Sequence, residues 1–247
     1  MANTIREQAR RNAVYSSTNA ISYADFAKEF GLFPFESELI LKLTNPNSRI
    51  IDLGCGTGRV GFALSELGYS NVTCCDIDPF MLAQAQKRLN SHPTQVYIRR
   101  ANALQLPFAD KSTDLVIFSY NGLMTIPRRE NRLKAISEAY RVLRPGGHFV
   151  FSCYKRDSHP SYKPFWDREL KRWQKGPRVE GLFEFGDLIK STQLEMDPVF
   201  VHFPDEKEIQ FYSTQGPFNK FEHYGVENPN PDLRKLINRL HYYVLTR

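Results

Sequence analysis

The chain has only four cysteines in 247 residues: Cys55, Cys74, Cys75 and Cys153. None forms a C-x-x-C pair or stands at zinc spacing from a histidine, which argues against a structural zinc or a disulfide framework. A reduced, cytoplasmic setting with no bound metal is therefore expected. No apolar run approaches the ~18 residues of a membrane span. The opening MANTIREQARRNAVYSS lacks the apolar stretch of a secretory signal, and none is expected. Internal repeats and low-complexity segments are also missing. What is present is 41% hydrophobic and 24% charged residues, with 18 Phe and 12 Tyr. That is enough to build one large packed domain.

Strand-like and helix-like patterns alternate between residues 35 and 153. Ser48 to Leu53 reads as a buried strand running into Gly54-Cys55-Gly56-Thr57-Gly58, and Arg59 to Leu67 as a helix stopped by Gly68. Val72 to Cys75 is a second strand ending in Asp76-Ile77-Asp78, and Pro79 opens a second helix. Val96 to Ile98 and Leu115 to Phe118 make two more strands. A helix from about Arg129 to Leu143 stops at Pro145-Gly146-Gly147, before a fifth strand from His148 to Cys153. This alternation predicts a parallel sheet covered on both faces. Residues 1–34 read as an N-terminal helical lid, 154–204 as an inserted cap, and 205–247 as a closing helix and two strands.

Two glycine patterns overlap at the first strand-helix turn. Gly56-Thr57-Gly58-Arg59-Val60-Gly61 satisfies G-x-G-x-x-G, the mark of a dinucleotide. Gly54-Cys55-Gly56-Thr57-Gly58 after Asp52 suits a ligand one turn earlier. A pyrophosphate at this turn would be repelled by Asp52, whereas the ammonium and sulfonium of S-adenosylmethionine (SAM) would be attracted. Charge and register both favour SAM.

Five segments, IIDLGCGTGRV, CCDIDPFML, RRANALQLPFAD, TDLVIFSYNG and AYRVLRPGGHFVFS, together resemble the core of a class I SAM-dependent methyltransferase, over about half the chain. The resemblance implies a Rossmann-like, doubly wound α/β sheet. Its seven strands would be mostly parallel, with an antiparallel strand near the C-terminus. It also implies a set of cofactor residues. Gly54, Cys55, Gly56 and Gly58 would bring backbone to the methionine moiety. Asp52 would orient its ammonium, and Asp76 would accept from both ribose hydroxyls. Ile77 would pack on the adenine, Asn102 and Ala103 would read its amino edge, and Ser119 would meet the methionine end. S-adenosylhomocysteine (SAH) would be the product. Asn102 stands where the family often has an acid.

The acceptor is less legible. Ser119-Tyr120-Asn121-Gly122 replaces the N/D-P-P-Y/F of enzymes that methylate exocyclic adenine nitrogens or glutamine. Cys153 lacks the paired Pro-Cys of an RNA cytosine-C5 enzyme. The turn at Asn121 resembles that of small-molecule N- and O-methyltransferases, and an N or O atom of a small molecule is the favoured acceptor. Asn121, Tyr154 and His159 are candidate catalytic groups; His148 and His202 read as structural. Tyr15, Tyr23, Tyr120 and Trp166 are candidates to line the acceptor site. Two other readings stay open. Ten Lys/Arg against three acids between Arg141 and Arg178 could attract RNA. The chain could also bind SAM without transferring a methyl group.

Overall fold

The computed structural model describes residues 16–92, 94–176, 179–190, 198–225 and 239–247. Its centre is Ile50–Leu53 (β1), buried along its whole length, as befits a strand with parallel neighbours on both sides. Val72–Asp76 (β2) and Thr113–Phe118 (β4) flank it. Val96–Arg100 (β3) extends the sheet beyond β2, and Leu143–Cys153 (β5) extends it beyond β4. His241–Thr246 (β9) runs antiparallel between β5 and Lys220–Gly225 (β8). The order β3-β2-β1-β4-β5-β9-β8 is the Rossmann-like sheet expected, with one antiparallel strand near the end of the chain. Chain direction across the sheet reverses between β1 and β4, which opens a crevice at their carboxyl ends.

Helices cover both faces. Ser17–Phe30 (α1), Pro34–Leu43 (α2) and Arg59–Glu66 (α3) set Phe26, Leu39, Ile40, Val60 and Leu64 against Ile50, Leu115, Ile117 and Val150. Pro79–Ser91 (α4) continues that layer over β2 and β3 through Ala85. Arg129–Val142 (α5) and Glu206–Thr214 (α7) cover the other face with Ile136, Ala139, Ile209 and Tyr212. The segment after β5 forms a helix, Lys163–Lys175 (α6), and an antiparallel pair, Asp187–Lys190 (β6) with Val199–His202 (β7). Val199 and Val201 are buried in the main core.

One local expectation is corrected. Pro145-Gly146-Gly147 does not precede the fifth strand but interrupts it. Leu143 already faces Thr113, and the ladder resumes with His148 opposite Leu115. The excursion is fastened by the last residue: Gly146 N–H donates to the Arg247 carbonyl at 2.7 Å, and Arg247 N–H to that of Gly147 at 2.9 Å.

Gly61 marks how closely α3 lies on the sheet. A Cβ there would stand 2.1 Å from Cys74 Sγ and 3.3 Å from Asp52 Oδ2. Gly61→Ala is therefore expected to lower stability by ~1–3 kcal/mol through overpacking. That outweighs the ~1 kcal/mol alanine gains in helix propensity. Denaturant titration checks this, and a neutral or stabilised variant would contradict so tight a contact.

Candidate functional site

The carboxyl ends of β1, β2, β3 and β4 open into one cavity of about 810 Å³, a volume in the ~300–1,000 Å³ range of small-molecule and cofactor sites. Its floor is the turn after β1. Gly54, Gly56 and Gly58 adopt left-handed φ of 61°, 54° and 86°, which side-chain-bearing residues rarely take. A Cβ on Gly54 would collide with the Phe118 ring at 2.4 Å, whereas one on Gly56 would meet only Met81 Sδ at 3.8 Å. The backbone at Gly56 is thus bare toward the cavity.

Acids from β1 and β2 organise this turn. Asp76 Oδ2 accepts the Gly56 N–H at 2.8 Å and Oδ1 that of Asp78 at 2.9 Å. Burial raises its carboxyl pKa, and the two N–H groups oppose that rise. Asp78 Oδ1 caps α4 by accepting from Phe80 and Met81 N–H at 2.8 and 3.0 Å. Its Oδ2 is buried with no partner, and Asp78 is among the residues that line the cavity. Asp52 Oδ2 accepts the Gly61 N–H at 2.9 Å. Burial pushes the Asp52 carboxyl up to about 7; Gly61 and Arg59 oppose the rise, and Glu36 and Asp76 reinforce it.

Of the other expected cofactor residues, Cys55, Ile77, Asn102, Ala103 and Ser119 all line the same cavity. Asn102 Oδ1 already accepts the Leu104 N–H at 2.9 Å, closing a turn, so an adenine amino group would have to share that oxygen. Ser119 leads to two residues that the sequence reading missed. Its hydroxyl contacts Glu36 on α2 and accepts from Arg59 Nη2 at 3.0 Å. Arg59 grips Glu36 with both terminal nitrogens, at 2.6 and 2.9 Å, and donates to the Gly31 carbonyl at 2.7 Å. Its guanidinium lies 4.0 Å from the Phe33 ring centroid. Arg59 lies within the quoted glycine-loop motif and could have been flagged there. Nothing in the sequence marked Glu36.

The candidates for the acceptor side separate. Tyr23 and Tyr120 line the cavity, joined by Phe118, Ile126, Phe183 and Phe200. Tyr120 stacks on Phe26 with ring centroids 5.7 Å apart. Both Tyr120 and Asn121 hold left-handed backbone, at φ 49° and 67°, a strain commonly found at functional turns.

Five expectations need correction or fall outside the described residues. Asn121 is turned from the cavity to hold chain, its Oδ1 accepting the Tyr154 N–H at 3.0 Å. Tyr154 packs among the apolar side chains of the α1–α2 face, and burial holds its hydroxyl pKa well above the usual value. His159 is half-buried, and its Nδ1 caps a short 3₁₀ turn by accepting the Ser161 N–H at 3.2 Å. Trp166 packs on Phe165, Phe185 and Phe203 and lines a second cavity, beside α6. Tyr15 lies outside the described residues.

Part of the basic run is held in ion pairs. Arg141 pairs with Asp110 and Glu138, Arg144 with Asp114, Lys155 with Glu206, and Arg156 with Asp205. A further cluster is structural. Arg132, fully buried, donates to Tyr212 at 2.7 Å, Glu184 at 2.6 Å and Glu208 at 3.2 Å. His202 bridges Asp187 at 2.7 Å and Glu208 at 3.0 Å. Burial works against the Glu208 charge, but His202, Tyr212 and Arg132 hold its carboxyl down to about 2. Glu184, His202 and Glu208 bring metal-type ligand atoms within 4.8 Å of one another. Arg129 and Arg132 already neutralise both acids, so the cluster ties α5 to β7 and α7 and is not assigned a cation.

Residues 50–147 match the methyltransferase domain family. A demethylmenaquinone methyltransferase from Lactiplantibacillus plantarum is 35% identical over 124 residues, 49% of this chain and 51% of that protein. A malonyl-[acyl-carrier protein] O-methyltransferase from Marinomonas sp. is 36% identical over 146 residues, 59% of this chain and 51% of that one. The chain thus spans about half the length of the curated relatives it matches. A solved SAM-dependent methyltransferase from Methanosarcina mazei shares the fold. Its TM-score is 0.68 at 22% identity, over 87% of this chain and 98% of that one. Residues 50–147 thus resemble a methyltransferase domain, on a fold shared with a solved SAM-dependent methyltransferase.

Proposed function

We propose that this chain moves a methyl group from SAM to an N or O atom of a small-molecule acceptor. Residues 35–153 would hold the cofactor, and the flanking segments 1–34 and 154–204 would enclose the acceptor. Bound SAM supplies a methyl group made electrophilic by its sulfonium. The chain's residues would orient it and keep water away. Asp76 suits the ribose hydroxyls, the bare backbone at Gly56 admits the methionine chain, and Ile77 offers an apolar face to adenine.

One observation carries the choice of acceptor: among the described residues, the cavity lining contains neither histidine nor lysine. Its wall beyond the cofactor residues is largely apolar, from Phe118 and Ile126 to Phe183 and Phe200. A site of this kind favours in-line displacement by an atom that already has a lone pair to give, such as an amine nitrogen or a carboxylate oxygen. Alkylation at carbon would call for a positioned base, a role for which the lining offers only carboxylates and tyrosines such as Glu180 and Tyr23. The paired state of Arg141, Arg144, Lys155 and Arg156 weighs against an RNA-binding face. Labelled SAM incubated with separated small-molecule, RNA and protein fractions tests the proposal. Label is expected in the small-molecule fraction; label confined to RNA, or none anywhere, would overturn it.

Asp52 adds a pH signature. Its folded pKa of about 7 lies above the ~3.9 of an unfolded aspartate. The folded chain keeps this proton longer, so the contribution of Asp52 to stability falls as pH rises from ~4 to ~7. The SAM ammonium favours the ionised form, so cofactor affinity should rise with pH toward and through 7, with proton release on binding. Calorimetry in two buffers of different ionisation enthalpy reads that release. Asp52→Asn should abolish it, and the same release in both proteins would separate Asp52 from cofactor binding.

A further inference from the structure

The second cavity, about 580 Å³, lies between α6 and the segment 179–189. Trp166, Glu169 and Trp173 share the α6 face that lines it, at spacings that put them on one side of a helix. The segment 179–189 is a partition. Leu182 and Phe185 face the α6 cavity, Phe183 faces the cofactor cavity, and Ile189 lines both. Ile189 is half exposed and supports no core of its own. The charges at the second cavity are unbalanced. Asp187 is matched by His202 and by the Phe183 and Glu184 N–H groups, and Glu169 is paired with Arg172 at 2.8 Å. Lys171 and Lys175, exposed and projecting from the other side of α6, also border the cavity, and neither pairs with an acid among the described residues.

We infer that the α6 cavity receives the far end of an elongated acceptor whose near end lies beside the cofactor, with the partition at Ile189 as the crossing point. That far end is an apolar body, packed on the two tryptophans, ending in an oxyanion (carboxylate or phosphate) at Lys171 and Lys175. Indole faces bury apolar groups at low entropic cost, and unpaired ammonium groups beside them select for a negative end. The inference rests on the methyl-transfer reading for what occupies the first cavity.

Both cavities have independent reporters. The chain has only two tryptophans, and both line the α6 cavity, so intrinsic fluorescence reads that cavity, while calorimetry with SAH reads the other. The SAH-loaded protein is titrated with decanoate, decyl phosphate, decanol and decyltrimethylammonium. A saturable change in emission is expected with the two anions, at concentrations about tenfold below any response to decanol, and none with the ammonium. The tighter anion identifies the oxyanion. Lys171→Glu/Lys175→Glu should weaken the anions about tenfold or more and leave SAH binding unchanged. Ile189→Tyr should cut label transfer to the small-molecule fraction, with SAH binding intact. Equal responses to decanol and decanoate, anion binding unaffected by charge reversal, or unimpaired transfer in Ile189→Tyr would each overturn the inference. Wild-type protein that fails to bind SAH would instead overturn the methyl-transfer reading, whatever the fluorescence shows.

Discussion

Asp76→Ala is expected to weaken SAM binding at least about a hundredfold. Two charge-assisted bonds from the ribose hydroxyls, each worth ~1.5–3 kcal/mol, account for that loss. A second effect adds to it, because Asp76 also receives the Gly56 and Asp78 N–H groups and thereby holds the floor of the cavity in shape. Asp76→Asn keeps an acceptor oxygen and should fall between wild type and alanine. Calorimetry with SAM measures the affinities, and circular dichroism shows whether the sheet survives. Equal affinity in wild type and Asp76→Ala would remove Asp76 from the site. Tight NADH binding by the wild type would turn the loop back into a dinucleotide site.

Arg59→Met should cost ~3–5 kcal/mol of stability, because it strands the carboxylate of Glu36 in the interior without its partner. Glu36 is 1% exposed, and the Ser119 hydroxyl and the Phe33 N–H, at 3.1 Å, remain to it. At ~2–4 °C per kcal/mol for a chain of this size, the melting temperature should drop by roughly 6–20 °C. Glu36→Leu combined with Arg59→Met should recover much of the loss, since an apolar pair of similar volume leaves no buried charge. A drop of under ~1 kcal/mol in the single variant would mean that water reaches Glu36 and the pair is a surface feature.

The readable part of the sequence was the part in which function and local geometry constrain adjacent residues. The strand into Gly54–Gly58, the acid at Asp76 and the Asp78-Pro79 helix start are each written within about ten residues. They lead directly to the sheet order around β1 and to the cofactor wall. Side-chain partnerships across the chain were not readable. Glu36 and Arg59 are 23 residues apart and Arg132 and Tyr212 are 80 apart, and nothing local at either end records the other. Asn121 misled for a related reason. Its place at the turn after β4 was read correctly, but its amide faces the Tyr154 backbone, a direction fixed by a left-handed φ that sequence does not display. Trp166 departs from its expected place at the acceptor site because the aromatic residues of segment 154–204 divide between two cavities, Trp166 and Phe185 lining one and Phe183 and Phe200 the other.

The position of β9 has a consequence for synthesis on the ribosome. Phe35, near the start of α2, packs on Tyr242 and Tyr224 with ring centroids 5.2 and 5.4 Å apart. Between Phe35 and Tyr242 some 207 residues (242 − 35) must be translated, about 10–40 s at typical elongation rates. For the last 88 residues of that interval (241 − 153) β5 has been translated but has no β9 beside it, and its free edge is open to pairing with another chain. Nascent chains of this protein are therefore expected to need chaperone cover until the last strand has left the exit tunnel. Stop codons placed just before His241 should yield aggregated products, because they remove β9 while leaving the whole parallel core translated.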